Sequence, residues 1–346
     1  MKVLIHSTYY SSFLEKIIYR GLCENIGKKN TYVYKPSLFD SGNNLISNVP
    51  DSNIINSDEI VKKLDNYDLL LFFNDSFLDG NFYKILNKKT NTIKIFIDGI
   101  DDFFIRRIYK HPEIAYYFKR ELYDTKIPEF QKFEWIIRYV YELSRTPGTF
   151  KKKQKWFSYW NIPIGMAYKR KFQDVFPMPL TINNPKNNKV IKDKEYYISF
   201  IGHLNNPERT QYFNLLKIYL KTNNKKNFLS SNITTMAKYE DIIKKSKVGL
   251  SIRGTGFDTW RYWEIPCYGT ALLAQKTPIL IPKNFIDGES ALFFNDFNEL
   301  KYKFLKYVVN SDEWMEIARK GQERFLEYHT PKKRVQYLLN VIEGNE

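Results

Sequence analysis

The sequence predicts two doubly wound α/β domains in tandem, and three observations predict it. Short apolar runs alternate with helical patterns through the first hundred residues. The strongest of those runs are continuously apolar, as expected of parallel strands covered on both faces, where an exposed sheet would alternate apolar and polar residues. The alternation then stops in an Asn/Lys-rich stretch, residues 186–194 behind Pro185, and restarts beyond it. A chain of 346 residues is long enough for two cores of ordinary domain size.

In the first half, residues 2–7 read as a strand, 12–26 as an amphipathic helix and 32–34 as a weak strand. Residues 58–64 are helical, 68–73 a strand, 82–87 helical and 93–98 a strand, the run 69–73 being the longest wholly apolar one. From 103 to 160 the pattern changes to helices rich in Arg, Lys, Tyr and Phe, among them 113–122 and 130–144. In the second half, strands are expected at 196–202, 227–229, 248–253, 271–274 and 291–294. Helices are expected at 207–220, 239–246, 258–268, 296–309, 311–328 and 331–342. The expected organisation is therefore an N-terminal domain over 1–185 with a helical insertion at about 103–160, a C-terminal domain over 195–330, and a final helix over 331–346 that crosses back to the first domain.

Composition narrows the function. The 54 Lys+Arg against 38 Asp+Glu leave a formal charge of +16, which suits a phosphorylated substrate, an anionic membrane surface or a polyanion. Cys23 and Cys267 stand alone, so neither a disulfide framework nor a zinc cluster can be built, in keeping with a reducing cytoplasm. The chain opens directly on a strand pattern, and no apolar run approaches the ~20 residues of a membrane span. The segment 150–160 interleaves four lysines with Phe150, Trp156, Phe157 and Trp160, a composition that can touch anionic lipid headgroups at the inner face of the membrane or a lipid-diphosphate acceptor, that can bind single-stranded nucleic acid by stacking plus charge, and that equally suits a solvated connection between domains. No nucleic-acid-binding motif is present, so nucleic acid is not an expected partner.

The chemistry concentrates in residues 249–270. A buried strand runs into Arg253-Gly254-Thr255-Gly256, and Asp258 stands where it can cap the helix that follows. A strand, a glycine loop and a helix N-terminus together offer backbone N–H groups and a positive dipole end to a pyrophosphate. Arg261 and Glu264, three residues apart, can also form a helix-surface ion pair. In the first half, Asp98, Asp101 and Asp102 follow a strand. Carboxylates there can serve as a base or, as Asp-x-x-Asp-Asp, hold a divalent cation; they can equally be turn residues.

Several ordered blocks carry a family resemblance. Asp258-Thr259-x-Arg261-x-x-Glu264 is followed by Gly269-Thr270-Ala271-Leu272-Leu273 and Gly288-Glu289-Ser290-Ala291-Leu292-Phe293-Phe294. Then come Phe297-Asn298-Glu299-Leu300, Ala318-Arg319-Lys320-Gly321, Tyr328-His329-Thr330 and Arg334. Together the span resembles the C-terminal module of group 1 glycosyltransferases, particularly the CgeB-like branch. Ser199-Phe200-Ile201-Gly202 with Arg209 is similar to the first strand and phosphate-facing loop of the same module, and residues 117–122 are similar to a segment of that branch's N-terminal half.

The resemblance implies two Rossmann-like domains facing a cleft, the GT-B type, and transfer of a sugar from a nucleoside-diphosphate sugar to a glycan, lipid-linked or protein acceptor. It implies that Glu264 holds the ribose hydroxyls, and that Arg253 and Arg209 neutralise the diphosphate without a metal or other cofactor. It further implies that Gly202, Gly254, Gly256, Thr259, Arg261, Gly269 and Thr270 line the same nucleotide-sugar site. Retaining relatives carry a second glutamate eight residues before the ribose carboxylate; here that position is Gly256, and Asp258 is the nearest acidic substitute. Asp98 and Asp101 are the candidates for an acceptor-side base. A nucleotide-sugar epimerase of the same fold and a non-catalytic basic binding module are the rival functions.

Overall fold

The computed structural model describes residues 1–6, 13–35, 49–56, 60–73, 76, 79–99, 108, 111–122, 175–177, 181, 190–204, 206–222, 225–232, 235–254 and 256–345. The chain divides into two compact units: Met1–Pro179 together with Pro331–Glu346, and Leu180–Thr330.

The first unit is built on a seven-stranded parallel sheet. Its strands are β1 (Val3–His6), β2 (Thr31–Lys35), β3 (Ile54–Asn56), β4 (Leu69–Phe73), β5 (Ile93–Asp98), β6 (Tyr116–Lys119) and β7 (Val175–Pro177), in spatial order β3-β2-β1-β4-β5-β6-β7. β4 is the central strand with β1 beside it, and every residue of both is buried, so β4 reads as an unbroken apolar run and β1 as one that ends in His6. Helices α1 (Phe13–Ile26), α2 (Ile60–Lys63) and α3 (Phe82–Asn87) lie between the strands in sequence. One core packs Leu4, Tyr34, Leu70, Phe72 and Phe96 of the sheet against Ile60, Phe82, Ile85 and Leu86. Each such fully buried side chain contributes about 1.5–3 kcal/mol over its exposed state.

The last helix of the chain belongs to this unit and docks on α1. Gly21 makes that approach possible, because a Cβ there would overlap the carbonyl oxygen of Pro331 and Cγ2 of Val335. Asn25 Nδ2 donates to the Lys332 carbonyl at 2.8 Å and the Tyr116 hydroxyl to the Ile342 carbonyl at 3.1 Å.

The second unit holds a five-stranded parallel sheet of β8 (Tyr196–Ile201), β9 (Asn227–Ser230), β10 (Ser246–Ser251), β11 (Ala271–Gln275) and β12 (Leu292–Phe294), in spatial order β12-β11-β10-β8-β9. Its helices are α4 (Pro207–Thr222), α5 (Met236–Lys244), α6 (Trp260–Cys267), α7 (Phe297–Phe304) and α8 (Glu313–Tyr328), and α9 (Pro331–Glu343) is the helix that docks in the first unit. The chain steps from β8 to β9 in one direction and from β10 to β11 in the other. Right-handed crossovers therefore put α4 on one face of the sheet and α5 and α6 on the opposite face. Between the carboxyl ends of β8 and β10 the chain diverges to both sides and opens a crevice, the usual ligand position in such sheets.

One expected helix is a strand. The charged and aromatic pattern of residues 113–122 predicts a helix, yet 116–119 form β6 and pair in parallel with β5. Lys119 is fully buried because its ammonium lies 3.2 Å from the Asp98 carboxylate, so a charge that reads as solvent-facing in sequence lies inside the sheet. The remainder of the expected helical insertion, and the segment 150–160, lie outside the described residues.

Candidate functional site

The crevice at the carboxyl ends of β8 and β10 gathers three arginines. Arg209 sits in the first turns of α4, which Asn206 caps: Asn206 Oδ1 accepts from the Glu208 and Arg209 N–H groups at 2.9 and 3.2 Å, and Pro207 occupies the first helical position. Asn206 Nδ2 reaches across to the Gly254 carbonyl at 2.8 Å and ties the two loops together. The Arg209 guanidinium reinforces the tie. Its Nε donates to the Arg253 carbonyl, Nη2 to the Ile252 carbonyl and Nη1 to the His203 carbonyl, at 3.0, 3.0 and 2.9 Å. Burial, then the positive charges of Arg261 and Arg253, push its pKa down. The sequence put Arg209 on the diphosphate; the structure shows its N–H groups fixing the loop that carries Arg253.

Arg253 itself is buried and its Nε donates to Glu208 Oε2 at 2.6 Å. Gln275, at the end of β11, completes the arrangement: its Nε2 donates to Glu208 Oε1 at 2.8 Å and its Oε1 accepts from the Arg253 N–H at 3.3 Å. The guanidinium also stands over the Phe257 ring, 5.3 Å from its centroid.

Arg261, in the first turn of α6, crosses back to β8. Its Nη1 donates to the Ile201 carbonyl at 3.0 Å, and its guanidinium stacks on Phe200 at 4.9 Å. Gly202 is needed for this, since a Cβ there would overlap that Nη1. Gly254 does the same for Arg209, whose Nη2 would lie 2.8 Å from an added Cβ. The glycines thus allow close approach of arginines to backbone, a constraint distinct from turn geometry.

Glu264, one turn further along α6, is buried, and its Oε2 accepts from the Tyr239 hydroxyl of α5 at 2.7 Å. Burial raises its pKa, opposed by the Tyr239 hydrogen bond and the Arg261 charge. Burial and the same carboxylate raise the Tyr239 pKa well above its ordinary value. The simple helix-surface pair is therefore not what forms: Glu264 takes its hydrogen bond from Tyr239, and Arg261 gives one to Ile201.

The sequence places Asp258 where it can cap α6. The capping position is Thr259, whose hydroxyl lies 2.9 Å from that of Ser251, while the Asp258 carboxylate accepts from the Trp263 indole N–H and is buried. Gly256 accepts from the Gly254 N–H at 2.9 Å and closes the loop. Gly269 and Thr270 are not brought to the crevice. α6 runs from the carboxyl end of β10 back to the amino end of β11, so both residues lie at the opposite edge of the sheet. There Gly269, with φ 70°, ends the helix, and the Thr270 hydroxyl donates to the Ile243 carbonyl at 2.7 Å.

In the first unit, Asp98 is fully buried at the end of β5, accepting from the Tyr117 hydroxyl at 2.6 Å and paired with Lys119. Asp101 and Asp102 lie outside the described residues, and among those described no group of three or more His, Cys, Asp or Glu side chains gathers as a metal site. His6, which sequence reasoning did not single out, closes β1 at the crevice of this sheet with Nε2 2.9 Å from Asp79 Oδ2. No helix among the described residues is long and apolar enough to cross a membrane.

Residues 227–340, which include α6 and the Glu264–Tyr239 contact, match the family model described as glycosyl transferase-like. No curated protein matches the chain. Among solved structures, an alpha-glucosyltransferase (AGT) in complex with UDP aligns over 99% of this chain and 98% of its own at 10% identity, with a TM-score of 0.54. An alpha-glucosyltransferase in complex with UDP-glucose and DNA containing an abasic site covers 98% of each chain at 10% identity, with a TM-score of 0.51. Anabaena HepE in complex with UDP covers 99% and 100% at 8% identity, with a TM-score of 0.50. At such identities the likeness is one of fold: two parallel-sheet α/β domains, as in GT-B glycosyltransferases.

Proposed function

We propose that the chain is a glycosyltransferase that takes a sugar from a nucleoside-diphosphate donor held in its second unit and passes it to a glycan, lipid-linked or protein acceptor. The observation that carries this reading is the crevice between β8 and β10, where Arg209, Arg253 and Arg261 converge beside a buried carboxylate, Glu264. The glycosyl transferase-like match over residues 227–340 supports it, and the ordered motif blocks from Asp258 to Arg334 support placement in the CgeB-like branch. The UDP named for AGT and HepE makes a uridine nucleotide the first donor to test.

In this reading Glu264 receives the ribose hydroxyls, since a carboxylate is acceptor-only and can take two vicinal donors. Tyr239 holds it in place. Arg253 faces the diphosphate, and the fixed charge of Arg209 behind it adds positive potential without contact. Stabilising a departing diphosphate by fixed cations and backbone dipoles costs little reorganisation as charge develops, so no metal is required in the proposal. Asp98, buried and ion-paired, ties β5 to β6. Contact with an anionic membrane surface through the basic, aromatic segment 150–160 belongs to the same proposal.

The test is a thermal-stability screen against UDP, GDP, CMP and dTDP sugars, with and without EDTA. A ligand that binds only the folded chain raises its melting temperature. One nucleotide class should do so, equally in EDTA. Stabilisation by none would sink the reading, and stabilisation lost in EDTA would require a metal site.

A further inference from the structure

Resting on the donor-site reading, we propose that Glu208 is a built-in competitor for the nucleotide: its carboxylate holds Arg253 while the crevice is empty and speeds release of the nucleoside diphosphate after transfer. Glu208 stands in the first turn of α4 with Oε2 2.6 Å from Arg253 Nε, and Gln275 Nε2 holds its other oxygen at 2.8 Å. Gln275 also accepts from the Arg253 N–H, so carboxylate, guanidinium and amide form a closed network over the carboxyl ends of β10 and β11. The carboxylate is 20% exposed and the guanidinium 6%. Glu208 is thus the member of the pair that meets solvent, and a ligand anion reaching Arg253 does so beside it.

Two consequences follow from electrostatics in so enclosed a place. A diphosphate must share or displace the Glu208–Arg253 contact, which weakens its binding. The nucleoside diphosphate left after transfer carries one more negative charge than the sugar-linked donor, because the bond from its outer phosphate to the anomeric carbon has become an ionised oxygen. Glu208 therefore opposes product more than donor. It acts through Arg253 and needs no contact with the transferred sugar, so it is a positioning residue.

Calorimetric titration of UDP and UDP-glucose into the full chain tests this, with Glu208→Gln and Glu208→Ala as two neutral variants. If the wild type binds UDP, both variants should bind it about tenfold more tightly and UDP-glucose by a smaller factor. The gain should shrink when Arg253→Gln is added, because that removes what is competed for. UDP affinity unchanged or weakened in both variants overturns the role of Glu208 and leaves the donor site standing. A wild-type chain that binds neither ligand overturns the donor-site reading, and the inference with it.

Discussion

The hydroxyl of Tyr239 donates to Oε2 of Glu264 across 2.7 Å, joining the first half of α5 to the middle of α6 on one face of the second sheet. The contact fixes a buried carboxylate within reach of the Arg261 charge. Tyr239→Phe removes the only donor that the described residues give this carboxylate, and a hydrogen bond to a charged, partly buried group is worth about 1.5 kcal/mol. We expect a lower melting temperature and weaker nucleotide binding in this variant. Full wild-type values of both would show that the contact neither stabilises the fold nor orients Glu264.

The raised pKa of Glu264 has a sign that can be checked. Burial disfavours the ionised form, so the stability this group contributes is present below the ordinary carboxylate value of about 4.3 and is lost as pH rises through its higher folded value. Ligand binding runs the other way, because only the ionised carboxylate can accept both ribose hydroxyls. UDP-glucose is the suitable probe, since its phosphates do not titrate in this range. Its affinity should fall on acidification with a midpoint above about 4.3, and Glu264→Gln should flatten the profile. A wild-type profile already flat across that range would exclude an ionised Glu264 from the site.

Gly21 offers a test away from the site. Any side chain there pushes α9 from α1, because the overlap is with the backbone carbonyl of Pro331 and leaves no flexible group to yield. Gly21→Ala should cost on the order of 1–3 kcal/mol and expose the chain near residue 330 to protease. An unchanged melting temperature and digestion pattern would show that the α1–α9 docking does not contribute to stability.

The fold was legible where burial on both faces leaves only apolar residues, as in Leu69–Phe73, and where apolar residues dominate a strand, as in Ile93–Asp98. It was illegible in Tyr116–Lys119, where a buried lysine is neutralised by a carboxylate on the neighbouring strand. β7 has three residues, too few to show a period. In the site, the loop Arg253–Gly256 and the carboxylate Glu264 were visible because a strand, glycines and a helix start adjoin in sequence. Glu208 and Tyr239 were not, since each reaches its partner across 45 and 25 residues of chain respectively. Sequence adjacency also misled: Gly269 and Thr270 follow Glu264 closely, but the helix between carries them to the far edge of the sheet. The helix begins one residue later than the sequence suggests, with Thr259 at the N-cap position, and the Asp258 carboxylate accepts from the Trp263 indole.

Calorimetric titration of the best-binding nucleotide into wild type and Glu264→Gln decides whether Glu264 receives the ribose of a nucleotide. Gln keeps the size and a single acceptor oxygen while removing the charge, and its burial carries no ionisation cost, so the melting temperature should not fall. Charge-assisted hydrogen bonds of this kind are worth roughly 1.5–3 kcal/mol, so affinity should fall on the order of ten- to a hundredfold. Equal affinities for the two proteins would remove Glu264 from the site and contradict the account.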